Sequence, residues 1–206
     1  MSVRRAFALL AAFVVWLCVG GSVAAQTFQD DDKVLLGKAI EYFQSNKFHE
    51  ASLLFYKLSR NHTLSPRLIA YLGVCCYYDA DYKLAAKYLD QTVERLEAFA
   101  PQERSVYYFC DAESHYRLAQ YALAVPFYER YLVVCHDNER AEALYKLGLC
   151  YYEMLNWSAA GEYLNAALAC FEQGNGDEIV SKKMQNIREL LTTCDKNAQH
   201  GTAFAN

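Results

Sequence analysis

Histidine and cysteine are the residues of this chain whose side chains are best suited to catalysis or metal binding. No two histidines have the i, i+4 spacing with which a helix presents a pair of ligands to zinc. The chain also contains no GxSxG motif, no glycine-rich phosphate loop and no HExxH motif. We therefore expect no catalytic residue, no metal site, no cofactor and no enzymatic activity. The five histidines are His49, His62, His115, His136 and His200.

A fourfold pattern of small and aromatic residues indicates how the chain is organised. In each copy, an aromatic residue follows a small residue by nine positions, and an alanine follows it by twelve. Successive closing alanines are 34, 39 and 36 residues apart, a period typical of stacked helical hairpins. A small side chain lets two helices cross closely. The four sets are Ala39–Phe48–Ala51, Gly73–Tyr82–Ala85, Ala112–Tyr121–Ala124 and Gly148–Trp157–Ala160.

This pattern resembles the tetratricopeptide repeat (TPR) family over residues 33–172. The resemblance implies an all-α, right-handed α-solenoid of about four helical hairpins, at 33–64, 65–100, 103–138 and 139–172. Cys76 and His115 stand where the family favours an aromatic residue, and we interpret His115 as a packed side chain. Pro126 is expected in the first turn of its helix, where proline is tolerated. The nearest match is the fourth unit, with Leu144, Gly148, Tyr151, Trp157, Ala160, Leu164 and Ala167.

The segments around the repeats have their own signals. Residues 26–32 are predicted to form a short lead. The extra length around residues 96–104, interrupted by Pro101, predicts a lengthened second helix followed by a short loop. The sequence Gly174-Asn175-Gly176 marks a break. Residues 177–194 carry one apolar stripe and are predicted to form a C-terminal capping helix, and 195–206 a mobile tail.

The first 25 residues are predicted to be a cleavable secretory signal. Arg4 and Arg5 precede an uncharged apolar run that ends in small residues. This run is shorter than the roughly 20 residues of a comfortable membrane span, although a retained N-terminal anchor is the alternative. We expect an exported protein, periplasmic in a bacterium and otherwise secreted. Cleavage would move the net charge from −4 to −6, which argues against nucleic acid as a partner.

Seven cysteines follow the predicted signal, and none belongs to a CxxC motif. Most are interpreted as small buried hydrophobic residues, because their spacing follows the helical repeat. An exported chain nevertheless meets oxidising conditions. Cys135 and Cys170, near the ends of consecutive second helices, are therefore the best candidates for a disulfide.

The TPR resemblance implies that the first helix of each unit lines a concave groove. Four residues beyond each small residue comes an aromatic one, and tyrosine is enriched in recognition surfaces. The alternative is that these rings pack between adjacent first helices and stiffen the solenoid. Charged residues, including Glu113 and Glu142, are expected at the groove margins. The candidate partner-binding residues are Phe43, Tyr77, Tyr78, Phe109, Tyr116, Arg117, Tyr145 and Tyr152.

These observations together favour an exported, non-catalytic scaffold that binds a protein or peptide segment in this groove. One alternative is a self-associating structural component of a cell-envelope assembly. Another is a module that binds glycans or assists an enzyme, because rows of aromatic residues also suit sugars.

Overall fold

The structure, a computed structural model, describes residues 30–174 and 178–203. The predicted signal and residues 26–29 lie outside this range. The described residues contain no β-strand, and their helices pack in chain order as four hairpins, with the last helix against the eighth. The α-helices are α1 (Asp30–Gln44), α2 (Phe48–Asn61), α3 (Pro66–Tyr78), α4 (Tyr82–Asp90), α5 (Pro101–Arg117), α6 (Tyr121–Val134), α7 (Asp137–Glu153), α8 (Trp157–Gln173) and α9 (Glu178–Ala203).

Each second helix begins on the aromatic residue of the repeat. The preceding first helix ends in the same way each time, with one residue of the turn at a positive φ of 57–60°. The next backbone N–H reaches five residues back to a carbonyl, as from Lys47 to Tyr42 at 2.8 Å and from Asn156 to Tyr151 at 2.9 Å. This is the Schellman arrangement, here built without glycine. The four residues with positive φ are Asn46, Ala80, Ala119 and Leu155.

The contact at the centre of each hairpin joins a small residue of the first helix to a large residue of the second. The large residue follows the small one by sixteen positions and is fully buried in all four hairpins. A Cβ added to Gly73 would lie 2.7 Å from Leu89 Cγ, and one added to Gly148 would lie 2.7 Å from Leu164 Cγ. The two helices thus approach as closely as the small residue allows. The pairs are Ala39–Phe55, Gly73–Leu89, Ala112–Tyr128 and Gly148–Leu164.

The connection between the second and third hairpins differs from the prediction of a lengthened second helix. Helix α4 ends at Asp90, and a short 3₁₀ helix follows at Val93–Arg95 before α5 begins at Pro101. The Thr92 hydroxyl donates a hydrogen bond to the Leu89 carbonyl at 3.0 Å, which takes up an acceptor at the helix end. The turn then buries Leu96 between the second and third hairpins and Val93 against helices α5, α6 and α7, and this burial stabilises it.

Two further expectations about helices are wrong. Pro126 lies inside α6, one turn beyond its start, rather than in its first turn. Helix α9 continues to Ala203, so the segment predicted as a mobile tail from residue 195 is helical up to that point. Ile187 and Cys194 of α9 are buried in the same core as α7 and α8. No helix in the described part of the chain is long and apolar enough to span a membrane.

The close contact at Gly148 predicts a specific stability effect. Gly148→Ala should lower the free energy of unfolding by about 1–3 kcal/mol, because the new methyl group must displace the buried Leu164 side chain. Urea unfolding followed by circular dichroism measures this change. The matched control is Gly161→Ala in α8, where an added Cβ meets no atom within 4 Å. That substitution should stabilise the protein by about 0.5–1 kcal/mol, and equal effects at the two glycines would contradict the packing argument.

Candidate functional site

The four aromatic residues that follow the small residues by four positions share one environment. Each is partly buried, and each packs at an angle against the aromatic residue that opens the second helix of its own hairpin. The rings therefore brace the turns of their own hairpins and still expose part of their surface. The centroid distances are 5.7 Å for Phe43–Phe48, 5.9 Å for Tyr77–Tyr82, 5.5 Å for Tyr116–Tyr121 and 5.3 Å for Tyr152–Trp157.

Two of the candidate residues are well exposed. Tyr78 is 54% exposed, and its ring lies flat on Phe48 of the preceding hairpin, with centroids 4.1 Å apart. The Arg117 side chain is also 54% exposed, and its guanidinium lies 5.8 Å from the centre of the Tyr82 ring. Both side chains are thus held at the surface by an aromatic neighbour.

Of the two remaining candidates, Tyr145 is buried and Phe109 is partly buried. Tyr145 is buried beneath α9, where Asn186 donates a hydrogen bond to its hydroxyl at 2.8 Å and Lys183 lies over its ring. Phe109 packs between Tyr77 and Tyr131, at centroid distances of 6.3 and 5.3 Å. The other six candidates, which we call the first-helix strip, are Phe43, Tyr77, Tyr78, Tyr116, Arg117 and Tyr152.

Ion pairs connect successive first helices. Arg67 of α3 binds both carboxylate oxygens of Glu103 on α5, at 2.8 and 3.0 Å. Lys146 of α7 lies 2.6 Å from Glu113 of α5, and Lys183 of α9 pairs with Glu142 of α7. These cross-links hold neighbouring hairpins in register, a role that the sequence did not reveal. They are formed by the pairs Arg67–Glu103, Glu113–Lys146 and Glu142–Lys183.

Glu113 was expected at a groove margin, but it lies in the core. Its buried carboxylate accepts a hydrogen bond from the hydroxyl of Tyr128 and pairs with Lys146. Tyr128 occupies the central position that is filled by phenylalanine or leucine in the other hairpins, so its hydroxyl needs a buried acceptor. The Lys146 ammonium balances the resulting charge and also lies 4.9 Å from the centre of the Tyr116 ring. Tyr128, Glu113 and Lys146 thus form a polar network that extends from the core to Tyr116 of the first-helix strip.

A second polar cluster is buried where the second hairpin meets the third. His115 Nε2 lies 3.1 Å from an oxygen of Asp90 and 3.6 Å from an oxygen of Asp111. Burial lowers the pKa of His115, but its hydrogen bonds with Asp90 and Gln120 outweigh that effect and raise it. Burial and the charge of Asp90 raise the pKa of Asp111 to about 9. The spacing between pairs of histidines, considered alone, does not identify this cluster. The i, i+4 spacing of Asp111 and His115 would have indicated it.

The seven cysteines of the described residues are all free, so the proposed Cys135–Cys170 disulfide is not formed. The Cys135 thiol instead faces the Leu132 carbonyl of its own helix at 3.7 Å. Cys170 lines a cleft of about 590 Å³ together with residues of α7 such as Arg140. Burial raises the pKa of Cys110 and Cys150, which keeps these thiols protonated and unreactive.

Solved structures share this architecture. MamA from Desulfovibrio magneticus RS-1 matches with a TM-score of 0.54 at 16% identity, covering 84% of this chain and 98% of that one. The apo form of RapI matches with a TM-score of 0.58 at 15% identity, over 82% of this chain and 65% of the other. The C-terminal part of a TPR repeat-containing protein from Cytophaga hutchinsonii matches at 0.58 and 21% identity, over 79% and 61%.

These neighbours all have TPR-type folds, and the predicted fold class is confirmed: the chain forms an α-helical solenoid of the TPR type. No protein-family model matches its sequence, and no curated protein matches it either. The likeness to these structures, at 15–21% identity, is one of fold.

The buried Glu113 network leads to a double-mutant prediction. Lys146→Met should lower the free energy of unfolding by about 3 kcal/mol, because it leaves the Glu113 charge buried without its main counterion. Adding Glu113→Gln to this variant should recover at least half of the loss, because the uncompensated charge is then removed. Urea unfolding of the four proteins in the cycle measures both effects.

The control for this cycle is Lys182→Met. Lys182 pairs with Glu178 at 2.7 Å, but both side chains are exposed, so the change should stay within about 0.5 kcal/mol. A loss at Lys146 as small as that at Lys182 would show that the Glu113 carboxylate does not depend on its counterion.

Proposed function

We propose that this chain is a non-catalytic scaffold that binds a segment of another protein along the first-helix strip. The observation that carries the proposal is Tyr78, whose exposed ring is stacked on Phe48 beside a row of partly exposed aromatic residues. A ring held in place in the free protein loses little conformational entropy when a partner covers it. Binding to such a surface therefore retains most of the free energy of burying the ring.

The chemistry of the strip indicates what kind of segment it would bind. Its tyrosine rings offer apolar faces together with hydroxyl groups, which suits apolar or aromatic side chains of a partner. Arg117 adds an exposed guanidinium, whose planar donors suit a carboxylate. The proposed ligand is an extended or helical segment that carries apolar or aromatic residues and at least one acidic group.

The proposed site of action is an exported compartment, the periplasm in a bacterium. This part of the proposal is supported by the pattern of the first 25 residues alone, which lie outside the described range. The partner is accordingly expected to be another exported protein.

The choice of residues for a test follows from their packing. Alanine at Tyr77, Tyr116 or Tyr152 would remove a ring that braces a hairpin turn, so a loss of binding would be confounded by a loss of stability. Tyr78 and Arg117 are more than half exposed and form none of those three turn contacts. Their replacement removes the stack of Tyr78 on Phe48 and the contacts of Arg117 with Tyr82 and Glu113, so urea unfolding of the variant accompanies the binding measurement.

We expect the double variant Tyr78→Ser/Arg117→Ala to bind its partner at least tenfold more weakly, because exposed tyrosine and arginine residues carry much of the affinity of interfaces. Partners are first captured on the immobilised wild-type protein from exported and cytoplasmic fractions of its source cells. Affinity for the captured protein is then measured by surface plasmon resonance.

The matched control is Leu123→Ser on the second helix α6, because Leu123 is 53% exposed and lies outside the strip. Its affinity should stay within about twofold of the wild-type value, since rim or remote residues contribute little. Equal losses at the two surfaces, or none at the strip, would reject the first-helix face as the binding site. Oligomers without a partner in light scattering would support self-association instead.

A further inference from the structure

We infer that Asp90, Asp111 and His115 form a binding site for a divalent transition-metal ion, with Zn²⁺ as the best-suited ion. The site is separate from the first-helix strip and does not depend on the proposed function. One potential ligand atom from each residue lies within 4.8 Å of the other two. Imidazole suits zinc, cobalt and iron ions, and carboxylates complete such sites as oxygen ligands.

The distances fit a bound ion. Zinc ligands lie at about 2.1 Å from the metal, which places neighbouring tetrahedral ligands about 3.4 Å apart. The distances from His115 Nε2 to the nearest oxygens of Asp90 and Asp111 are 3.1 and 3.6 Å. Asp90 is 47% exposed, so its side chain can rotate to bring one of its oxygens to the same distance from the Asp111 oxygen. Water would fill the remaining coordination positions.

Asp111 provides the independent observation that points to a ligand. Its side chain is fully buried, yet neither carboxylate oxygen accepts or donates a hydrogen bond. An unpartnered buried carboxyl group costs free energy that a coordinated cation would offset. The neighbouring cation Arg130 does not satisfy it, because Arg130 instead binds Glu94 at 2.8 Å.

The side chains around His115 hold its imidazole ring in place, as hydrogen-bond acceptors do for histidine ligands in metal sites. The side-chain carbonyl of Gln120 lies 2.8 Å from Nδ1 and can only accept, so Nδ1 carries the proton. This leaves Nε2 to face the two carboxylates and to release its own proton to solvent when an ion binds. Phe127 stacks parallel to the imidazole at 5.6 Å and fixes the plane of the ring.

The position of Asp90 also favours a cation. Asp90 is the last residue of α4, where the helix dipole opposes a negative side chain. Asp111 and His115 lie one turn apart on α5, so an ion would join the second hairpin to the third across the irregular segment 91–100. The consequence is a metal-dependent clamp at the longest connection of the repeat array.

The test is calorimetric titration of the purified, EDTA-treated protein with Zn²⁺. We expect one ion per chain and a rise in melting temperature with Zn²⁺ concentration. Asp111→Asn and His115→Gln should each weaken binding at least tenfold. Gln120→Leu should weaken Zn²⁺ binding about 10- to 100-fold, because it removes the hydrogen bond that orients the imidazole. This variant provides the test if a variant of a ligand residue does not fold.

The matched control is the double variant His49→Gln/Asp79→Asn, which removes an exposed histidine–aspartate pair at 3.3 Å. Its affinity for Zn²⁺ should equal that of the wild type. Co²⁺ replaces Zn²⁺ in a parallel titration, and its spectrum should lack a thiolate charge-transfer band because the ligands are oxygen and nitrogen. A wild-type protein that takes up no Zn²⁺, or variants that bind it equally well, would overturn the assignment. A thiolate band would overturn it as well, by placing the ion on the cysteines.

Discussion

The close crossing of two helices at a small residue is the contact on which the rest of this structure depends. In each hairpin, alanine or glycine of the first helix faces a fully buried large residue sixteen positions later. This pairing sets the distance between the helices and, with it, the place of every neighbouring side chain. The aromatic residue that opens the second helix and the ring that packs on it are then brought together at each turn. The aromatic row of the first helices is a consequence of this geometry.

The third hairpin shows how one change at that contact alters a whole region. Tyr128 fills the position of phenylalanine or leucine, and its hydroxyl is satisfied by buried Glu113, which in turn pairs with Lys146 of the next hairpin. Helix α5, which carries Glu113, also contains the buried residues Asp111 and His115. Buried polar groups of this kind stabilise a fold only when every member has a partner. The Glu113 network meets that condition, whereas Asp111 on its own does not.

Helix α9 determines which of the candidate aromatic residues near the end of the array remain exposed to solvent. It covers the end of the array and buries Tyr145, which would otherwise continue the strip. Its contacts are both apolar, through Ile187 and Cys194, and ionic, through Lys183. An array of hairpins needs such a cover because its last apolar face has no neighbour. Tyr78 and Arg117 lie far from this end in sequence and remain exposed.

The sequence by itself determined the repeat, the start of each second helix and the register of the aromatic row, because each depends on residues close together in the chain. It did not reveal how far Tyr145 is covered, since that depends on a helix some forty residues away. It also suggested a longer second helix before Pro101, whereas burial of Val93 and Leu96 stabilises a turn there.

The environment of ionisable groups was decided by the tertiary structure alone. Glu113 and His115 look like ordinary surface and packing residues in the sequence, and Asp90 is separated from His115 by 25 positions. Only the packing of the helices against one another buries Glu113 and His115 and brings Asp90 next to His115. Local patterns therefore specified this fold, and contacts between repeats specified its chemistry.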